Sequence, residues 1–178
     1  MKIYLDNCCF NRPFDDQSQI RIRLESEAKL KIQEEIRDGK IQLIWSYILD
    51  YENDKNPFKE RKIQIYGWKK YAINDIEENN ELLEIAGSLS QKGIKKYDSL
   101  HIACAILSKC KYFLTTDDNI LRRSNLIETI NVNEFLLKKQ ADPKPFICDT
   151  DLPQRAGADY KTKSKLKGTD FIKLFQSK

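Results

Sequence analysis

The sequence predicts an α/β protein of three layers, α/β/α, with a central and mostly parallel sheet. Two patterns predict it. Short apolar runs such as Lys2–Leu5 and Ile41–Trp45 alternate with stretches whose apolar residues recur every three or four positions. Strands of the first kind are buried on both faces, and helices of the second kind carry the single apolar stripe that covers them. A chain of 178 residues, 40% hydrophobic and 33% charged, suits one globular domain with an appendage.

The elements follow in order. Lys2–Leu5 reads as a buried strand ending at Asp6, and Asn7–Ser18, with Pro13 and the Asp15-Asp16 pair, as a polar loop. From Gln19, Ile20, Leu24, Ala28, Ile32 and Ile36 recur every four residues and predict an amphipathic helix that Gly39 ends. Ile41–Trp45 is a second strand, and Ser46 an N-cap opening a helix with Ile48, Leu49, Tyr51 and Glu52. Asn56-Pro57 starts another helix towards Trp68, with proline in its first turn. Tyr71–Asn74 predicts a brief strand. Leu82, Leu83, Ile85, Ala86 and Leu89 line a helix that Gly93 terminates, and Lys96–Lys109 carries Leu100, Ala103, Cys104 and Leu107 on one side. Tyr112–Leu114 is a strand whose end the polar Thr115–Asn119 caps. Leu126–Val132 is the last strand, and Asn133 caps a short helix through Leu137.

Residues 1–137 therefore form the domain, and 138–178 a basic, irregular C-terminal extension. The extension holds Pro143, Pro145 and Pro153, a lysine-rich 161–167 stretch and a short apolar-faced helix capped by Thr169. It also holds 10 basic against 5 acidic residues, whereas 1–137 holds 21 against 22, so the net charge of +4 belongs to the extension. Attraction for phosphate is expected mainly there.

Several function classes drop out. No apolar run approaches the ~18 residues of a membrane span, and Asp6 and Arg12 make the N-terminus a poor signal peptide, so a cytoplasmic location is expected. Cys8, Cys9, Cys104, Cys110 and Cys148 are odd in number and show no CxxC spacing, which predicts small buried hydrophobes rather than disulfides or zinc. A nucleophilic cysteine would need a basic partner, and His101 is the only histidine. P-loop, HExxH and GxSxG patterns are absent.

What remains is acidic. Parallel sheets bind ligands beyond the carboxyl ends of their strands, and Asp6 and Asp117 sit just past two predicted strands. Three segments carry chemistry: Ile3-Tyr4-Leu5-Asp6-Asn7, Lys96-Tyr97-Asp98-Ser99-Leu100-His101-Ile102-Ala103, and Tyr112-Phe113-Leu114-Thr115-Thr116-Asp117-Asp118. Together they resemble the PIN-domain family, which includes the toxins of many bacterial toxin–antitoxin pairs; the resemblance covers about residues 1–137.

That resemblance implies a PIN-like fold and a site of four acids. Asp6 matches the aspartate after the first strand, and Glu52, flanked by Asp50 and Asp54, the glutamate after the second. Asp98 matches the aspartate opening the DSLHIA helix, and Asp117 that of the TxD turn. Asp118 is an extra acid, for metal or for water. Implied with them are Mg²⁺ or Mn²⁺ on Asp6, Asp98 and Asp117, with Glu52 holding a metal-bound water that attacks an RNA phosphodiester and leaves a 5′-phosphate and a 3′-hydroxyl. A homodimer and an antitoxin whose tail fills the acidic groove are also implied.

The chemistry of carboxylates agrees. Phosphodiester hydrolysis needs an activated water and a counter-charge, which hard cations on oxygen ligands supply. Packed carboxylates without a cation raise one another's pKa and cost stability. Asn7 and Thr115, beside site acids, are expected to orient them by hydrogen bonds. His101, one turn after Asp98, is expected to be a hydrogen-bonded structural histidine. Arg12 and Arg61 are expected in surface ion pairs, with phosphate contact as the sharper alternative. Tyr66, Trp68 and Tyr71 are expected in the core or a dimer surface. Two other readings stay open: a non-catalytic PIN-like module that binds RNA or protein, and a receiver- or HAD-like phosphoryl-transfer domain, although Asp6-Asn7-Cys8 lacks the second aspartate of DxD.

Overall fold

In a computed structural model, residues 1–123 and 127–141 are described. Five strands, β1 (Lys2–Leu5), β2 (Gln42–Ser46), β3 (Ala72–Ile76), β4 (Tyr112–Thr115) and β5 (Glu128–Asn131), form one sheet in the order β3-β2-β1-β4-β5. Every ladder among them is parallel. Ile3, Tyr4 and Leu5 of β1, Leu43, Ile44 and Trp45 of β2, and Phe113 and Leu114 of β4 are essentially solvent-free, as central parallel strands require. β3 is an edge, mostly exposed, and carries Asn74 and Asp75, polar residues that suit a strand with one unpaired side.

The helices are α1 (Asn7–Asn11), α2 (Ile20–Arg37), α3 (Tyr47–Asp54), α4 (Lys59–Tyr66), α5 (Asn80–Gln91), α6 (Lys96–Leu107), α7 (Asp118–Arg123) and α8 (Val132–Ala141). α2 packs on α8, where Glu35 pairs with Lys139, while α6 packs on α5 and α3 and crosses β2 and β4. These layers sandwich the sheet, as right-handed crossovers between parallel strands dictate.

Most predicted elements are present, and the differences have local causes. Asn7–Ser18 is not a loop throughout: α1 follows directly on β1, then a 3-10 turn spans Arg12–Phe14. Asn11 donates to both the carbonyl and the side chain of Asn7, and Pro13 enters the 3-10 turn where its missing N–H costs nothing. Ile20 and Leu24 keep the helical period but are 68% and 47% exposed, and the buried stripe of α2 starts only at Glu25. Pro57 lies outside α4, whose cap residue is Phe58. Tyr71 belongs to a 3-10 turn ahead of β3. α6 ends at Leu107, with Lys109 in the left-handed region at φ 55. α7 interrupts a stretch expected to be only a cap. The side chain that caps α8 belongs to Asn131, which accepts from the Asn133 amide, and the helix runs on through Ala141. Gly39 and Gly93 do adopt positive φ after α2 and α5. Cys148, the lysine-rich 161–167 stretch and the Thr169 helix lie outside the described residues.

Candidate active site

The chain moves from β1 outward to β2 and β3, then returns to the other side of β1 for β4 and β5. The order therefore reverses between β1 and β4, and at such a switch point the connections leaving the two strands run to opposite faces and leave a crevice. Asp6 directly follows β1, and its amide still donates to the Leu114 carbonyl at 2.9 Å. Asp117 follows β4 by two residues. Asp98 occupies the first turn of α6, where the helix N-terminus favours an anion. Asp98 and Asp117 line two clefts that share Asn119.

Asp6 is almost buried and stands at the N-cap of α1, yet its side chain caps nothing. Its Oδ2 instead accepts from Thr115 Oγ1 at 2.7 Å and from Cys8 Sγ at 3.1 Å. Thr115 Oγ1 in turn accepts from the Asp117 amide at 3.0 Å, so one buried hydroxyl ties both strand-end acids together. Asp117 Oδ1 accepts from the Asn119 amide at 2.7 Å, a small turn that leads into α7.

Asp98 reports the field of this group. Its carboxyl is pushed up to about 6, first by burial and then by the negative charges of Asp6 and Asp117, with Lys95 and His101 opposing. The three aspartates are thus within electrostatic reach of one another.

Glu52 is approached from beneath. His101 Nε2 lies 2.9 Å from Glu52 Oε2, His101 Nδ1 lies 2.7 Å from the Tyr4 hydroxyl, and that hydroxyl lies 2.5 Å from Ser46 Oγ. With Nε2 protonated, Ser46 donates to Tyr4, Tyr4 to His101 and His101 to Glu52, so every buried group is satisfied. Burial alone would raise the Glu52 carboxyl. The hydrogen bonds from His101 and Asn7 and the charge of Lys55 outweigh it, and Glu52 stays below its ordinary value. Its acidic neighbours are engaged elsewhere. Asp50 accepts from Trp45 Nε1 at 2.7 Å and pairs with Lys69, while Asp54 pairs with Lys62.

Asp118 stands apart. It is exposed and held bidentately by Arg21 at 2.7 and 2.8 Å, which lowers its pKa. Among the described residues no three His, Cys, Asp or Glu side chains are gathered closely enough to hold one ion between them. The donor chemistry still fits a hard divalent cation. Every candidate ligand is a carboxylate oxygen, and the raised Asp98 shows negative charge that Lys95 and His101 only partly offset.

Other expectations resolve on the same scaffold. Both ring nitrogens of buried His101 are taken, by Tyr4 and Glu52, and burial raises the pKa of Cys9, so the two make no nucleophilic pair. Arg12 pairs with Asp15 and buried Glu25, whereas Arg61 lies 4.2 Å from the Phe58 ring centre. Trp68 and Tyr71 pack half-buried against the core. Sequence reasoning missed Tyr4, Ser46 and Cys8. The signal for Tyr4 was available: a tyrosine between Ile3 and Leu5 in a buried strand must find its hydroxyl a partner.

No family model and no curated relative matches the sequence. Solved structures do. A chain of VapBC2 from Rickettsia felis, bound to a DNA fragment from their promoter, is 17% identical, with 74% of this chain and 98% of that chain covered and a TM-score of 0.49. FitAcB from Neisseria gonorrhoeae matches at 14% identity, 73% and 97% coverage and a TM-score of 0.49. VapBC-1 from nontypeable Haemophilus influenzae matches at 18%, 74% and 98%, and 0.48. At such identities the weight rests on the chain's own residues. Its three-layer fold agrees with what the sequence resemblance to the PIN-domain family implies.

Proposed function

We propose that this chain is a metal-dependent endoribonuclease of the PIN toxin kind, cutting RNA phosphodiester bonds at the mouth between β1 and β4. The observation that carries the reading is the pairing of two strand-end acids at the switch point, where the Thr115 hydroxyl bonds Asp6 at 2.7 Å and the Asp117 amide at 3.0 Å, with the Asp98 carboxyl raised by burial and by their charges. Acids that press on one another cost stability unless a cation lies among them, so scaffolding does not explain them. Asp6, Asp98 and Asp117, which do not converge on one point in the metal-free fold, would close on Mg²⁺ or Mn²⁺ with Glu52 beside them; when bound, the ion would supply Lewis acidity and counter-charge at the phosphoryl oxygens.

The chain's own residues do the rest. Thr115 fixes the Asp6 carboxylate, and His101, braced by Tyr4 and Ser46, fixes Glu52. A Glu52 kept ionised at neutral pH can accept a proton from water entering the mouth, which makes it the general base for in-line attack. The partners of this reading are an RNA substrate, a second copy of the chain and an antitoxin protein whose tail enters the acidic mouth.

Purified protein is expected to cleave RNA with Mg²⁺ or Mn²⁺ and not with EDTA. Asp6→Asn and Asp117→Asn should each lower the rate by roughly 100-fold or more while circular dichroism stays native. Undiminished cleavage by both variants refutes the reading. Calorimetry that detects no Mn²⁺ binding at millimolar concentration favours the alternative, a non-catalytic PIN-like module that binds RNA or protein.

A further inference from the structure

We propose that Tyr51, Lys55 and Tyr97 form a platform beside the acids that holds an unpaired base and its phosphate in single-stranded RNA. The identity of the ligand as RNA rests on the nuclease reading above; the platform itself rests on a separate set of contacts.

Tyr51 lies on α3 and Tyr97 on α6, and both rings are exposed, at 43% and 38%. Neither contributes to the core, so burial does not account for them. The ring centres are 5.6 Å apart at a 55° tilt, and the hydroxyls are 3.2 Å apart. Lys55 Nζ sits 3.8 Å from the Tyr51 ring centre and 5.0 Å from that of Tyr97, and donates to the Tyr97 hydroxyl at 3.3 Å. One ammonium thus fixes two aromatic side chains from separate helices, before any ligand arrives.

Charge points to the occupant. Lys55, unlike Lys62 and Lys69 on neighbouring elements, has no carboxylate within ion-pair distance among the described residues. Its positive charge, with that of Lys96 nearby, is left for an anion. Position points the same way. Tyr51 immediately precedes Glu52 in the chain, and Tyr97 immediately precedes Asp98. A ligand that combines a flat π face with a phosphate is a nucleotide, and only an unpaired base offers that face. An acidic peptide would satisfy Lys55 but leave the rings unused. Because the rings are already ordered, little side-chain entropy is lost when a base stacks.

The test reads binding, so that it stands apart from catalysis. In an Asp6→Asn background with Mg²⁺, fluorescence anisotropy measures the Kd of a labelled single-stranded RNA heptamer. Tyr51→Leu and Tyr97→Leu are each expected to weaken it roughly tenfold, and Tyr51→Phe and Tyr97→Phe to stay near the parent. Lys55→Gln is expected to reduce the salt slope by about one. An abasic nucleotide scanned through the heptamer should weaken the parent at one position and do so no longer in Tyr97→Leu. Leucine variants that bind like the parent, duplex RNA that binds as tightly as the single strand, or an acidic peptide that competes for the rings without RNA binding each overturn the platform. Cleavage by the unmodified protein together with unchanged Kd in the leucine variants overturns the platform alone. Kd losses without any cleavage overturn the nuclease reading alone.

Discussion

Lys29 lies on the inner face of α2, its ammonium 5.7 Å from the Phe10 ring centre and 6.0 Å from that of Trp68, with no carboxylate in ion-pair range among the described residues. Burial brings its pKa down to about 7, with nearby Cys9 opposing. A lysine whose folded pKa is depressed imposes no penalty above its unfolded value of 10.5 and an increasing one as pH falls towards 7, so stability should rise with pH across that window. Lys29→Met keeps the length of the stem and removes the charge. It is expected to stabilise the protein at pH 7 by a few kcal/mol, less what the two ring faces return to the cation, and to flatten the rise towards pH 10. Urea unfolding at the two pH values checks it, and an unchanged slope would show that the ammonium reaches water. The same residue marks where sequence reading stops. Asp6, Asp98 and Asp117 were legible as candidates because each stands in a motif near an element's end. Lys29 reads as an ordinary polar position within an amphipathic repeat, since nothing local says that α1 and Trp68 will close over it. Likewise, only the family resemblance set Glu52 apart from Asp50 and Asp54 in the sequence; the physical reason, that Trp45, Lys69 and Lys62 take the other two, needs the fold.

At the scale of elements, the sequence marked the stops at Gly39 and Gly93, where a positive φ decides, but left the start of α5 unmarked. Asn79 precedes α5 and its Oδ1 accepts from the Leu82 amide at 2.9 Å, an N-cap that satisfies one otherwise orphaned donor. Asn79→Ala should cost about 1 kcal/mol, visible as a thermal midpoint lower by a few degrees, and Asn79→Asp should restore most of it. An alanine variant as stable as the parent would mean that water serves the Leu82 amide equally well. Helices too short for a period were not legible: α1 and α7 span five and six residues, less than two turns, so no apolar stripe distinguishes them from loops. Nor does a cap residue reveal how its side chain is spent. Ser46 and Asp6 both stand at N-caps, but neither caps, because Tyr4 takes the one and Thr115 the other across the sheet. These two departures from local preference occur at the site, where long-range partners outweigh capping.

For the molecule as a whole, the alternation of strands and helices foretold a parallel sheet but not the strand order, since pairing between β1 and β4 spans over a hundred residues with no local signature. That pairing is what sets Asp6 beside Asp117 and both within reach of Asp98, and it ties stability to cations. The Asp98 pKa lies at about 6 in the fold against an ordinary 3.8, so its contribution to stability is complete below 3.8 and is lost as pH rises through 6. Metal-free protein should therefore lose stability from this group between about pH 4 and 6, and Asp98→Asn should raise its thermal midpoint at pH 7 but not at pH 4. A cation held by the ionised carboxylates reverses that cost. Mn²⁺ at about 100 times its Kd contributes roughly 2.7 kcal/mol, a rise of several degrees at pH 7.5. The rise should shrink at pH 5, where Asp98 carries its proton and a bound metal must displace it. Differential scanning fluorimetry of the parent and Asp98→Asn across this range, with and without Mn²⁺, separates the possibilities. An equal Mn²⁺ shift in both proteins at pH 7.5 would remove Asp98 from the metal's ligands, and the crowding of acids at the switch point would then need another explanation.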